Sequence, residues 1–157
     1  MAVDIKTVLA ESQLFQGLTT RDYDKLASIA VSVEFRKGDT ILTEGDPALG
    51  FYIVAEGLVK VFKVSVDGKE QLLHVFGEGE PVGEVPVFSG THYPAHVVAL
   101  TPAVLVYFAR DEFTHMLNAN PQLALNMLAT LSQRLRRFAG VIEDLSLKDV
   151  SARLAKY

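Results

Sequence analysis

The residues best equipped for chemistry fall in one stretch, GEGEPVGEVPVFSGTHYPAHVVA at 77–99. Within it Gly83-Glu84, followed by Pro86 and Phe88, reads as a short helical turn with free backbone N–H groups at its start. Such a start cradles an anion. The same residues also read as an ordinary loop, because a Gly-Glu pair with a downstream aromatic is common. His92 and His96 are spaced so that both side chains point to one face if the segment is a strand. On paper they could join Glu84 around a metal, a design that needs two or three histidines and a carboxylate converging on one ion. There is no His-x-His pair to support it, and no Walker loop or GxGxxG. The absence of cysteine excludes disulfides, thiolate zinc sites, cysteine-ligated clusters and a cysteine nucleophile. A binding module, not an enzyme, is expected.

The rest of the chain must position that stretch. Its 157 residues fit one domain with at most a short appendage. Fifteen basic against nineteen acidic residues give a net charge of −4, which is not the electrostatic footprint of a nucleic-acid-binding surface. No apolar run approaches the ~18 residues of a membrane span, and the N-terminus lacks a signal-peptide layout. A soluble, cytoplasmic protein is expected. Glycine is scarce in residues 1–31, where only Gly17 occurs, and after Gly90, where only Gly140 remains, but nine lie between 38 and 90. Short apolar runs punctuated by turns imply an all-β sandwich or barrel flanked by helices.

Local patterns fill in the elements. Thr19, three residues before Asp22, forms a capping pattern ahead of Tyr23, Leu26, Ile29 and Ala30, which share one helical face. Asp67-Gly68 between two apolar runs predicts a hairpin with a two-residue turn. The parity switch from Val59 and Val61 to Phe62, Val64 and Val66 calls for a bulge or for burial on both faces. AVLVYF at 103–108 is apolar on both parities, as in a closed double sheet, and about eight strands in a jelly roll are expected. Asn120-Pro121 pairs a preferred N-cap with proline at the first helical position. Beyond it Leu128, Leu131, Leu135, Phe138, Ile142 and Leu145 are spaced 3, 4, 3, 4 and 3, a narrow heptad seam for a helix pair across a homodimer. Gly140 on the outer face has no evident reason. At Asp149 the seam fails, and a new helix carrying Val150, Leu154 and Tyr157 on one face is expected, its partner lying outside the chain.

In this order the segments resemble the sensor half of the catabolite-activator/fumarate-nitrate-regulator (CRP/FNR) superfamily of bacterial transcription regulators. The matching residues are LFQGL at 14–18, FRKGDTILTEGD at 35–46, FYIVAEGLVKVF at 51–62, GEVPVF at 83–88, NPQLALNML at 120–128 and KDVSARLAKY at 148–157. The resemblance implies an α+β fold: a cyclic-nucleotide-binding-type double-stranded β-helix, or jelly roll, with N-terminal helices and a long C-terminal coiled-coil helix. It divides the chain into an effector-binding β-roll at 1–120, a dimerisation helix at 121–147, and a hinge at 148–157 that begins a DNA-binding domain absent from this chain. The implied partners are a second copy and an unknown small-molecule effector, with DNA reached only through the absent domain and no membrane.

Members that bind cyclic AMP place a Gly-Glu pair on the ribose and an Arg-Ser-Ala on the cyclic phosphate. Here Gly83, Glu84 and Ala95 match, but the two gripping positions are Tyr93 and Pro94. The purine-facing threonine and serine of those members correspond to Phe138 and Ala139. An arginine–phosphate contact contributes ~1.5–3 kcal/mol, and an anion buried without its partner costs ~3–5 kcal/mol. At 1.4 kcal/mol per decade that is roughly two to three decades of affinity, so cyclic AMP is not expected as effector. The ligand site implied is Gly83, Glu84, Val85, Tyr93, Pro94, Ala95 and Phe138. Haem, held by His92 or His96, is the alternative within the family, and a small anion or aromatic acid is a third candidate. A stand-alone cyclic-nucleotide-binding regulatory domain is the remaining reading.

Overall fold

Turn chemistry shapes the middle of the chain in the computed structural model, which describes residues 3–154. Helices α1 (Ile5–Glu11) and α2 (Thr20–Ile29) precede strands β1 (Val31–Phe35), β2 (Thr40–Leu42), β3 (Gly50–Glu56), β4 (Val59–Val64), β5 (Glu70–Phe76) and β6 (Pro81–Val82). The short helix α3 (Glu84–Ser89) follows, then β7 (His96–Ala99), β8 (Ala103–Ala109), α4 (Arg110–Ala119) and the long α5 (Pro121–Leu154). The strands form two four-stranded antiparallel sheets, β1-β8-β3-β6 and β2-β7-β4-β5, which is the expected jelly roll.

The apolar runs of β3 and β8 are buried as their patterns require, whereas Leu72, Leu73 and Val75 of β5 stay exposed. Strands β3 and β8 lose both faces to the interior, because Phe51 and Ile53 are as buried as Val54, and Leu105 as Val106. Phe15 ahead of α2, Phe51, Phe108 and Phe113 of α4 meet in one aromatic cluster, with Phe51 and Phe108 stacked at 5.2 Å. That cluster ties the N-terminal segment and α4 to the first sheet. Thr19 closes the capping box, its Oγ1 accepting from the Asp22 N–H at 3.2 Å while Asp22 accepts from the Thr19 N–H. The parity switch in β4 is a bulge between Val61 and Phe62.

Three expectations need correction. The β4–β5 loop is not a two-residue turn. The Gly68 N–H donates to the Ser65 carbonyl and the Ser65 N–H to the Lys69 carbonyl, so three residues bridge the strands. Gly68 is left-handed at φ +82°, whereas no non-glycine residue among those described has positive φ, and Asp67 therefore cannot share a primed turn. Asn120 does not cap α5 with its side chain; its Nδ2 donates back to the Met116 carbonyl and closes α4. Finally, α5 runs unbroken past Asp149 to Leu154, so no new helix starts there. The apolar face expected of Val150, Leu154 and Tyr157 falls outside the described side chains.

Helix α5 is rooted by Leu123 and Met127, one turn apart and both buried. Beside them Asn126 donates from Nδ2 to the buried Asp22 carboxylate at 2.8 Å. The heptad seam faces elsewhere: Leu128, Leu135, Phe138, Ile142 and Leu145 are 59–70% exposed, and Leu131 is half-buried. A methyl at Gly140 would meet nothing within 4 Å, so no close backbone approach within the described residues explains it.

Candidate functional site

The roll holds a small cavity where β6 turns into α3. Gly83 makes that turn with φ +80°, and a Cβ there would lie 2.8 Å from Leu42 and 3.3 Å from the Tyr93 ring. Both the backbone and the space demand glycine. Glu84 opens α3, so its side chain stands at the mouth of the turn. Burial pushes its carboxyl up from the usual glutamate value, partly offset by its own backbone N–H, which favours the charged form. Among the described residues no cation lies within ion-pair distance of Glu84.

Gly83, Glu84, Val85, Tyr93, Pro94 and Ala95 all line this cavity, closed behind by Leu42, Val61, Phe76 and Val97. Six of the seven expected ligand residues are thus brought together. Glu84 is the one charged side chain among those lining it, and no cationic side chain faces the cavity. The expected short helical turn is present as α3, and the Glu84 N–H at its start faces that residue's own carboxylate.

Tyr93 is committed to the scaffold. Its hydroxyl donates to the Gly50 carbonyl and accepts from the Gly50 N–H at 3.3 Å, across 43 residues of chain. Its backbone is paired as well, with its N–H donating to Asp46 and its carbonyl accepting from Gly45. Burial raises its pKa above the usual tyrosine value. The ring is therefore a wall of the cavity and its hydroxyl is not offered to a ligand. At about 120 Å3 the cavity falls below the ~300–1,000 Å3 of small-molecule sites.

Phe138 is not part of this site. It lies three turns beyond Met127 on α5, beside a separate hollow with Gln16, Arg134, Arg137 and Val141, because α5 docks through Leu123 and Met127 and runs on past the roll. The histidines do not converge either. His96 accepts from the Glu44 N–H at Nδ1, and its Nε2 lies 3.6 Å from the Glu44 carboxylate. His92 sits on the exposed segment that bridges to Pro47. Among the described residues no group of three His, Asp or Glu side chains is placed to hold a metal ion. Haem does not fit here: both nitrogens of His96 face Glu44, and the neighbouring cavity is too small for a macrocycle.

A larger hollow of about 410 Å3, opening between α3, α4 and α5 and lined by Val87, Phe88, Arg110 and Leu131, went unread in the sequence. Its walls come from three elements distant along the chain, and only Phe88, an aromatic next to the turn, gave a local sign of it.

Comparison with known proteins agrees with this geometry. Residues 32–120 match the family described as the cyclic nucleotide-binding domain. The chain is 30% identical over 149 residues to a CRP-like cAMP-activated global transcriptional regulator of Mycobacterium tuberculosis, covering 95% of this chain and 66% of that protein. The crystal structure of DNR from Pseudomonas aeruginosa superposes with a TM-score of 0.76 at 32% identity, over 94% of this chain and 66% of that one. The N-terminal domain of a transcriptional regulator from Streptomyces coelicolor gives 0.73 at 32% identity, covering 86% of this chain and 94% of that domain. No described helix is long and apolar enough to cross a membrane. Fold, cassette and relatives converge: the chain belongs to the cyclic nucleotide-binding domain family and is similar to the sensor region of CRP-like transcription regulators.

Proposed function

We propose that this chain is the effector-sensing and dimerisation part of a CRP/FNR-type transcription regulator that lacks a cationic grip for cyclic AMP. Residues 1–120 form the sensing roll, the helix at 121–147 joins two copies, and 148–157 lead towards a DNA-binding part of the regulator. The carrying observation is Tyr93. The family pattern aligns it with a phosphate-gripping position, its hydroxyl is engaged by Gly50, and only the acidic Glu84 is charged beside it. The exposed seam on α5 supports the second half of the reading. A ligand with differential affinity for two arrangements of the helix pair would shift their populations and so re-aim whatever follows α5. Catalysis has no place in this function.

The test is titration calorimetry of the purified chain with cyclic AMP, carried to millimolar ligand. No heat of binding is expected. Micromolar binding would show that some other group holds the phosphate, and the effector half of the proposal would fail.

A further inference from the structure

Helix α3 has two sides. Glu84, Val85 and Pro86 face the small roll cavity, while Val87 and Phe88 face the 410 Å3 groove shared with α4 and α5. The groove is over three times the volume of the cavity and within the range of small-molecule sites. Phe88, Phe113, Leu117, Met127 and Leu131 make its walls apolar. One charged side chain lines it, Arg110 at the start of α4.

Arg110 is oriented and unpaired. Its Nε donates to the Val87 carbonyl at 2.9 Å, which holds the guanidinium against the end of α3. Among the described residues no carboxylate lies within ion-pair distance of it, and no protein acceptor meets its two Nη groups. A guanidinium presents its remaining donors as a planar fork that matches a carboxylate. A half-buried fork at the edge of an apolar groove defines a ligand with one anionic head and an apolar body.

We infer that this groove binds an amphipathic monocarboxylate, an alkyl or aryl carboxylic acid whose head engages the Nη groups of Arg110 and whose tail lies along Phe113, Leu117 and Leu131. A phosphate or dicarboxylate would leave charge unmatched against a single cation. A ligand without an acceptor at its head would bury the fork unsatisfied, which costs about 1–3 kcal/mol, and a neutral acceptor lacks the charge-assisted strength of a carboxylate. Leu128 and Leu131 belong to both the groove and the seam, so a second copy's α5 borders the groove; from Pro121 onward its first acidic residues are Glu143 and Asp144, and a parallel partner helix therefore brings no carboxylate to Arg110. Because the walls come from both α3 and α5, occupancy would couple the roll cassette to the helix that carries the seam. That consequence rests on the proposed function; the binding itself does not.

Calorimetry with octanoate, using 1-octanol as the head-group control, tests the assignment on the intact chain. Octanoate is expected to bind one per chain and more tightly than octanol. Arg110→Gln should weaken octanoate at least tenfold and leave octanol within twofold. Since Arg110 also closes α3, Thr114→Trp, on α4 and outside the heptad seam, provides a second variant that fills the groove and should abolish binding of both. Absence of octanoate binding at millimolar concentration, equal affinity for octanol, or binding that survives Thr114→Trp would each overturn the inference. So would binding confined to a variant that cannot dimerise, which would make the partner's helix the natural occupant. A response to cyclic AMP would instead count against the proposed effector reading and leave the groove result standing.

Discussion

Tyr93 and Glu84 set the character of the roll cavity, and each makes a separate prediction. The Tyr93 hydroxyl holds β3 to the loop that follows α3 by two bonds to Gly50. Tyr93→Phe should leave Gly50 unpartnered and lower stability by about 1–3 kcal/mol in urea denaturation, whereas a hydroxyl kept for a ligand would cost nothing on removal. Glu84 has its carboxyl raised by burial, so the folded state binds that proton more tightly than the unfolded state does. The associated stability is present below the ordinary glutamate value of 4.5 and is lost as pH rises through the folded value. Glu84→Gln should therefore gain stability relative to the native chain as pH increases above 4.5, reaching a plateau once the native carboxyl is charged; an unchanged difference across that range would contradict the assignment. Gly83 and Glu84 were legible as a turn because turn chemistry is local, and Ala95 only through the family pattern; all three line the cavity. The bond from Tyr93 to Gly50 was not, since nothing in the neighbours of either residue records a contact across 43 positions. Phe138 was misplaced for the same reason: matching a position along a helix does not say where the helix points.

At the scale of elements, α5 is the one whose placement matters most. It is fastened by Leu123, Met127 and the Asn126–Asp22 bond, where the acceptor also belongs to the capping box of α2. One carboxylate thus serves both the start of α2 and the root of α5. Asn126→Ala should cost about 1–3 kcal/mol, because it leaves a buried carboxylate short of a donor, and hydrogen exchange should accelerate in residues 123–130 first. Equal protection there with and without Asn126 would show that the apolar contacts alone hold the helix. The capping box at Thr19 and the bulge in β4 could be read in advance because each is a pattern of a few adjacent residues. The three-residue loop at Gly68, the back-donation of Asn120 and the continuity of α5 through Asp149 could not. In each of these, two local signals competed, and the choice between them depended on tertiary geometry: strand twist at Gly68, the closing of α4 at Asn120, and an uninterrupted helix that outweighs a capping preference at Asp149.

For the whole molecule, β3 and β8 bury their apolar residues, Leu72, Leu73 and Val75 of β5 stay exposed, and α5 carries a heptad stripe that nothing within the described chain covers. Five seam residues are 59–70% exposed, and burying an exposed Leu, Ile or Phe contributes about 1.5–3 kcal/mol each. That is ample reason for two copies to associate, and the 3.5-residue period favours a helix pair over a docked globular surface. Sedimentation equilibrium of the native chain and of Leu135→Asp tests this most directly, since Leu135 lies in mid-seam and contributes nothing to the core. The native chain is expected at twice its 17.2 kDa, and the variant at the mass of one chain with an unchanged far-ultraviolet circular dichroism spectrum. A variant that remains dimeric, or a native chain that is monomeric at every concentration, would contradict association through the seam.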